Sequence, residues 1–273
     1  MKKNRGVLSV CFLLLLSAGC QQEYLNYGSN PTAGKYIDLR GIKMYYETYG
    51  TGKPLLMIHG NGGSGASFSE NVSYFAKKYQ VILLDSRAQG KSVDTKDSLS
   101  FEMMADDEAA FLTALHIDSA YVLGFSDGGI NALCLAMRHP GKVIKIASTG
   151  ANLWPDSTAI NPSSWKSDQK RFLTTDVKSF KTTEDKNRWK LFLLDWLQPN
   201  ITLESLHTIK CPSLIIGGDN DLINVQHTAL IFQHIPQAYL WILPNSGHAT
   251  LRQYSSLFNK QVDDFFSNPF RRE

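Results

Sequence analysis

The chain has 273 residues, of which 43% are hydrophobic, and its formal net charge is +3. This length and apolar content suit one globular domain with a small insertion. Lys2, Lys3 and Arg5 lie at the very start of the chain, and without them the net charge is about zero. Because no basic block then remains to neutralise phosphates, the composition argues against nucleic acid as a partner.

The beginning of the chain has the pattern of a secretion signal. Basic residues precede an apolar run over 7–16, which is too short to span a bilayer comfortably. The run ends in Leu-Ser-Ala-Gly-Cys, which resembles the bacterial lipobox, with Ser17 where leucine is more usual. The resemblance implies a signal peptide over 1–19, a lipidated Cys20 and a tether over 20–34. An ordinary cleaved signal peptide and an uncleaved anchor are the alternatives.

A lipid on Cys20 would place the protein in the bacterial cell envelope, with its main domain outside the cytoplasm. Gln21 at the next position favours the outer membrane over the inner one in bacteria with two membranes. Nothing else in the sequence is long and apolar enough for a transmembrane helix, so the lipid would be its membrane attachment. The sequence does not indicate an oligomeric state.

Short apolar runs alternate with helical patterns along most of the chain. Strands are predicted over 42–49, 54–59, 81–85, 121–125, 143–148, 213–217 and 239–243. Helices are predicted over 66–78, 100–116, 128–139, 226–234 and 251–267. This alternation predicts an α/β fold with a mostly parallel, doubly wound sheet that binds ligands at the carboxyl ends of its strands.

One segment, 151–205, interrupts the alternation. It lacks strand signals, contains four of the five tryptophans and has an apolar helical face that runs from Trp189 to Trp196. Such a face either packs on the core or lines a substrate pocket, and its place between two strands favours a small helical cap over the site. Trp154, Trp189 and Trp196 are therefore candidate substrate contacts. The predicted core comprises 35–150 and 206–273.

The most informative motif is Gly-Phe-Ser-Asp-Gly-Gly, which begins at Gly124 between an apolar, β-prone run and a helical run. A serine between glycines at a strand-to-helix turn is the pattern of a nucleophile elbow. Glycines are needed because side chains there would make the strand and the helix collide. The motif predicts that Ser126 is a nucleophile; the alternative is a serine that caps the helix.

Two downstream residues complete a possible catalytic set. Asp221 follows the predicted strand 213–217, and His248 follows the predicted strand 239–243. Both therefore lie at the same edge of a parallel sheet as Ser126, and the order Ser, Asp, His is that of this kind of site. We expect His248 to accept the serine proton and Asp221 to hold its ring, with Asp219 as the alternative acid.

A glycine-rich loop follows the predicted strand 54–59. An oxyanion at Ser126 can accept from the backbone amide of Asp127, and this loop can supply a second backbone amide. Asn61 is a better candidate for that second donor than Gly62. Phosphate binding is disfavoured, because neither Gly-Lys-Ser/Thr nor the G-x-G-x-x-G spacing is present. The side chain of Asp127 either binds a cationic group of the substrate or is simply a first-turn carboxylate that the helix dipole favours.

A further motif, Asp-Ser-Arg-Ala-Gln-Gly-Lys-Ser over 85–92, is similar to a D-x-R-G-x-G-x-S loop with Ala88 in place of a glycine. Together these motifs resemble the α/β-hydrolase family over about 35–150 and 206–270. The resemblance implies the α/β-hydrolase fold, and Ser126 excludes the branches that use an aspartate nucleophile.

The resemblance to the α/β-hydrolase family implies a serine esterase that acts on small-molecule esters of small or medium apolar acids. No organic cofactor is implied, and no Cys/His cluster has the spacing of a zinc site. Cleavage of amides, thioesters or C–C bonds and acyl transfer are alternatives within the same fold. A catalytically silent binding lipoprotein is an alternative of another class.

Overall fold

The structure, a computed structural model, describes residues 26–94 and 98–271. The predicted signal peptide and residues 20–25 of the predicted tether, Cys20 among them, lie outside the described residues. The described strands are β1 Gly34–Leu39, β2 Ile42–Tyr49, β3 Lys53–Ile58, β4 Tyr79–Leu84, β5 Ala120–Phe125, β6 Val143–Thr149, β7 Ser213–Gly218 and β8 Ala238–Leu243. They form one sheet in the order β1-β2-β4-β3-β5-β6-β7-β8.

The sheet is mostly parallel, as the alternation predicts. Strands β1 and β2 are antiparallel to each other and β2 is antiparallel to β4, whereas every later neighbour pair is parallel. The edge strand β1 was not predicted. Most of its side chains are exposed or half-buried, so it lacks the apolar run by which the inner strands are recognised.

The described helices are α1 Ser69–Phe75, α2 Phe101–Ala114, α3 Asp127–Arg138, α4 Pro162–Thr174, α5 Thr183–Leu197, α6 Leu203–Leu206, α7 Val225–His234, α8 Thr250–Gln253 and α9 Ser255–Ser267. The predicted helix over 66–78 is a 3-10 turn followed by α1, and the one over 251–267 is divided into α8 and α9 at Tyr254. None of the helices in the described ranges is long and apolar enough to cross a bilayer.

Side chains of the inner strands alternate between two apolar cores. In β3, Leu56 and Ile58 belong to the core beneath α2, α3 and α7, whereas Leu55 and Met57 belong to the core beneath α1 and α9. Both faces of the sheet are thus covered by helices, which explains why its strands read as nearly continuous apolar runs.

Residues 151–205, the segment predicted as a cap, contain α4 and α5 and most of α6, between β6 and β7 along the chain. Helix α5 begins with a capping box in which the Thr182 hydroxyl and the Asp185 carboxylate each accept from the other's backbone amide. Helix α4 was not predicted, and none of its residues is fully buried. We refer to residues 151–205 as the cap.

Candidate active site

Ser126 lies in a strained turn between β5 and α3. Its backbone has φ 56° and ψ −118°, a conformation that non-glycine residues rarely adopt. A Cβ on Gly124 would lie 2.0 Å from the carbonyl oxygen of Gly128, and one on Gly128 would lie 1.9 Å from that of Ile58. Only glycine therefore fits at both flanking positions, as the elbow pattern predicts.

The structure brings Ser126, Asp221 and His248 together at the carboxyl ends of β5, β7 and β8. The Ser126 hydroxyl lies 2.9 Å from His248 Nε2, and Asp221 Oδ1 lies 2.6 Å from His248 Nδ1. A carboxylate only accepts hydrogen bonds, so Nδ1 carries the proton and Nε2 accepts from the serine. The imidazole is thus oriented for removal of the serine proton.

The environment of Asp221 keeps it ionised. Its carboxylate accepts hydrogen bonds from the backbone amides of Gly218 and Ile223, both at 3.1 Å. Burial alone would raise its pKa, but the hydrogen bond and charge of His248 and these two amides outweigh burial, so the pKa lies below its usual value. The alternative acid, Asp219, is exposed and accepts from the amides of Asn245 and Ser246 instead.

The glycine-rich loop after β3 is a tight turn. The amide of Gly63 donates to the carbonyl of Gly60 at 3.1 Å, and Gly62 has a left-handed φ of 64°. The amide of Gly62 is already occupied, because it donates to Gln89 Oε1 at 2.6 Å. The backbone amides of Asn61 and Asp127 donate to no other residue in the described part of the chain, and that of Asp127 lies within reach of its own carboxylate.

A cavity of about 550 Å³ lies beside Ser126, between the core and helices α4 and α5. Core residues on its wall include Asn61, Ser126 and Asp127. Its aromatic wall comes from the cap and consists of Trp165, Phe192 and Trp196. The cavity therefore joins a possible nucleophile to an apolar surface.

Residues 53–193 match the alpha/beta hydrolase fold family. The chain belongs to this family. It is similar to serine hydrolase BPHL of Mus musculus, at 28% identity over 260 residues that cover 88% of each chain. It is also similar to 2-hydroxy-6-oxo-6-phenylhexa-2,4-dienoate hydrolase of Burkholderia cepacia, at 24% identity over 88% of this chain and 98% of the relative.

Solved structures agree with this assignment. The structure of Est816, described as an N-acyl homoserine lactone degrading enzyme, has a TM-score of 0.71 and 25% identity. That match covers 85% of this hydrolase and 100% of Est816. The enol-lactonase of Burkholderia xenovorans LB400 has a TM-score of 0.72 at 19% identity and supports the fold alone.

The three tryptophans predicted as substrate contacts lie in different surroundings in this hydrolase. Trp196 lines the cavity beside Ser126. Trp189 stacks on Phe192 at 4.8 Å between ring centroids and lines a separate cavity. Trp154 lines neither of these two cavities; its Nε1 donates to Thr158 Oγ1 at 2.8 Å, and its ring meets His227 edge-on. Helical periodicity identifies an apolar face but not what packs against each flank of it.

The cavity of the hydrolase also contains two adjacent carboxyl groups, one of which was not predicted as a site residue. Asp127 is 3% exposed, and its Oδ2 accepts from Asn61 Nδ2 at 3.0 Å. Its carboxyl is a hydrogen-bonding neighbour of Asp195, which projects from α5 and is open to the cavity. Asp195 is a single polar residue on a largely apolar part of α5. The sequence contains no local pattern that pairs it with Asp127, so it was not predicted as a site residue.

The two carboxyl groups of the pair cannot readily both be ionised. Burial raises the pKa of Asp127, while enclosure by the protein and the charge of Asp127 raise that of Asp195 well above its ordinary value. Protonation of one of the two carboxyls is therefore favoured, and the pair carries less than two full negative charges beside Ser126. No cluster of three or more His, Cys, Asp or Glu suited to a metal ion occurs among the described residues.

Proposed function

We propose that this hydrolase cleaves carboxylic esters through a covalent acyl-enzyme. The observation that carries the proposal is the hydrogen-bonded chain Ser126–His248–Asp221, with distances of 2.9 Å and 2.6 Å. Two backbone amides lie beside Ser126: that of Asn61, on the glycine-rich loop, and that of Asp127, the first residue of α3. A nucleophile, a base, an orienting acid and oxyanion donors are the parts that acyl transfer requires.

The proposed reaction proceeds in two halves. Ser126 Oγ attacks the ester carbonyl while His248 Nε2 takes its proton, and the oxyanion accepts from the amides of Asn61 and Asp127. His248 then protonates the departing alkoxide, which leaves an acyl group on Ser126. In the second half His248 removes a proton from water, the water attacks the acyl carbonyl, and the proton returns to Ser126 as the acid departs.

The preferred substrate in this proposal is an ester with a protonated amine near the carbonyl and an apolar side chain. The Asp127–Asp195 pair provides a negative charge beside the nucleophile, and neither residue forms an ion pair with a described Arg or Lys. Two basic residues lie on the cavity wall: Arg188 is paired with Glu184 and Asp185 at 2.8 and 2.6 Å, and Arg171 lies over the ring of Phe192 at 4.3 Å. The aromatic wall would contact the apolar part.

Two p-nitrophenyl esters of matched shape test the proposal: that of phenylalanine, which carries an ammonium group, and that of 3-phenylpropanoic acid, which does not. We expect the wild type to hydrolyse both, with kcat/KM at least about tenfold higher for the amine, since a charge-assisted hydrogen bond contributes roughly 1.5–3 kcal/mol. Ser126→Ala should lose more than about a thousandfold in kcat.

The outcomes separate the two parts of the proposal. Equal turnover by wild type and Ser126→Ala would contradict the serine mechanism. Equal kcat/KM for the two esters would remove only the preference for an amine. Labelling of Ser126 by a fluorophosphonate probe without turnover of either ester would direct attention to amides, thioesters, C–C bonds or acyl transfer, and no labelling would favour a silent binding protein.

We also propose that the protein is a lipoprotein of the bacterial cell envelope, on the strength of the lipobox-like sequence that ends at Cys20. Mass spectrometry of the N-terminal peptide should find a diacylglyceryl-modified cysteine as the first residue. Cys20→Ser should move the protein from the membrane fraction to the soluble one. A wild-type chain that begins elsewhere, or an unmodified Cys20, would refute this localisation.

A further inference from the structure

Helix α5 of the cap is hydrogen-bonded to two core loops beside Ser126. Asn61 Nδ2, on the glycine-rich loop, donates to the carbonyl oxygen of Leu191 in α5 at 3.0 Å. Asn187 Nδ2, one turn earlier in α5, donates to the carbonyl oxygen of Ala88 at 2.7 Å. The residue after Ala88 is Gln89, whose side chain accepts a hydrogen bond from Gly62 of the glycine-rich loop. The cap thus reaches the loop by two separate routes.

Two peptide groups set the orientation of Asn61. The first, between Gly60 and Asn61, contains the Asn61 N–H and is held through the carbonyl oxygen of Gly60. This oxygen accepts from His59 Nδ1 at 2.7 Å and from the amide of Gly63 at 3.1 Å. His59 Nε2 accepts from the amide of Ser86 at 3.0 Å, so Nδ1 carries the proton. In a trans peptide the N–H points away from the preceding carbonyl, so these contacts aim the Asn61 amide.

The second peptide group, between Asn61 and Gly62, is held by Gln89 alone among the described side chains. Gln89 is 4% exposed and its Oε1 accepts from the Gly62 amide at 2.6 Å, while its Nε2 is buried without a partner in the described residues. A buried donor without an acceptor is unfavourable, so an apolar side chain would fill this space at lower cost. The acceptor oxygen is therefore the part of Gln89 that the loop uses.

The position of Gln89 depends in turn on a strained residue. Ala88 has a left-handed φ of 63°, where its family loop has glycine. A conformation of this kind persists only where neighbouring contacts hold it, and Asn187 of α5 binds the Ala88 carbonyl. The contact from the cap therefore supports the turn that presents Gln89 to the Gly62 amide.

We propose that Gln89 and Asn187 are positioning residues, through which the docked helix α5 holds the backbone amide of Asn61 at the oxyanion position. The cap then does more than cover the cavity: it completes the oxyanion site. This inference rests on the proposed serine mechanism. Both residues line the cavity beside Ser126, but neither touches the reacting atoms in that mechanism. Their loss should therefore lower kcat and leave the triad unchanged.

Four variants test the proposal. Gln89→Leu removes the acceptor, whereas Gln89→Glu retains an acceptor oxygen. Asn187→Leu removes the contact of α5 with Ala88 at a half-buried position that tolerates an apolar side chain, and Lys186→Ala is the matched control on the same helix. Each is measured for kcat and KM with p-nitrophenyl esters, for inhibition by a trifluoromethyl ketone that forms an oxyanion on Ser126, and for melting temperature.

We expect Gln89→Leu and Asn187→Leu to lower kcat by about 10- to 100-fold and to weaken inhibition by the ketone by a similar factor, with a smaller change in KM than in kcat. Gln89→Glu and Lys186→Ala should stay within about threefold of wild type. Unchanged kcat in both leucine variants, or a loss seen only in KM or only in melting temperature, would overturn the positioning role. A wild type that neither turns over esters nor reacts at Ser126 would instead overturn the proposed function.

Discussion

At the scale of single residues, two glycines decide whether Ser126 can adopt its conformation. The backbones of β5, α3 and β3 approach so closely that a single Cβ at Gly124 or Gly128 would overlap a carbonyl oxygen. Both neighbours are backbone atoms, which cannot rotate away as a side chain would. The close approach holds the strained turn, and the strain is what presents the hydroxyl at the edge of the sheet.

Gly128→Ala should therefore destabilise the protein by about 3 kcal/mol or more, because its Cβ would lie 1.9 Å from the Ile58 carbonyl oxygen. Gly141→Ala is the matched control, since a Cβ there meets nothing within 4 Å. Urea unfolding followed by circular dichroism measures both. A Gly128→Ala variant as stable as Gly141→Ala would show that the elbow is looser than its geometry indicates.

At the scale of elements, helix α5 has an aromatic face and a separate carboxyl group. Trp189, Phe192 and Trp196 stack along one face of the helix, where Phe192 and Trp196 line the cavity beside Ser126, whereas Asp195 lies beside Asp127. The carboxyl pair places two like groups across the boundary between cap and core. Because enclosure by the protein and the charge of Asp127 raise the pKa of Asp195, we expect the docking of α5 to depend on pH.

The sign of that dependence follows from the raised pKa of Asp195. The folded state binds the proton more tightly than the unfolded state, so its stabilising effect is complete below the ordinary Asp value of 3.8 and is lost as pH rises toward the raised value. Asp195→Asn should therefore melt a few degrees higher than wild type at pH 8, with little difference at pH 4. Differential scanning fluorimetry from pH 4 to 8 measures this, and a parallel pair of curves would contradict the raised pKa of Asp195.

At the scale of the whole molecule, a buried arginine joins segments that are distant in sequence. Arg87, on the loop after β4, is 1% exposed and binds Asp107 of α2 at 2.6 and 2.8 Å and Asp94 at 3.2 Å. Asp107 also accepts from Arg40, which lies between β1 and β2, at 2.7 Å. The network therefore fixes the antiparallel edge of the sheet to a helix of the parallel part.

Arg87→Leu should cost about 3 kcal/mol of unfolding free energy, because it leaves the half-exposed Arg40 as the one cationic partner of buried Asp107 among the described residues. Lys260→Ala provides the comparison, because its pair with Asp264 is exposed to solvent and should contribute little to stability. Chemical denaturation at pH 7 measures both variants. Similar small losses in the two would mean that the buried network is dispensable.

The order of elements and the positions of Ser126, Asp221 and His248 could be read from the sequence, since both depend on local patterns. Apolar runs of strand length, helical periods and a glycine-flanked serine are each encoded within a few residues. Parallel strands then place the residues that follow them at one edge. The edge strand β1 and helix α4 escaped prediction because neither buries a continuous apolar face.

The sequence by itself therefore determined the fold class and which residues meet at the edge of the sheet. Only the tertiary structure decided that Asp195 faces Asp127, that Trp196 but not Trp154 lines the cavity, and that Asn61 binds a carbonyl 130 residues away. The physical reason is that these contacts depend on how the cap lies across the core. That packing is fixed by many distant side chains at once, and no local period in the sequence records it.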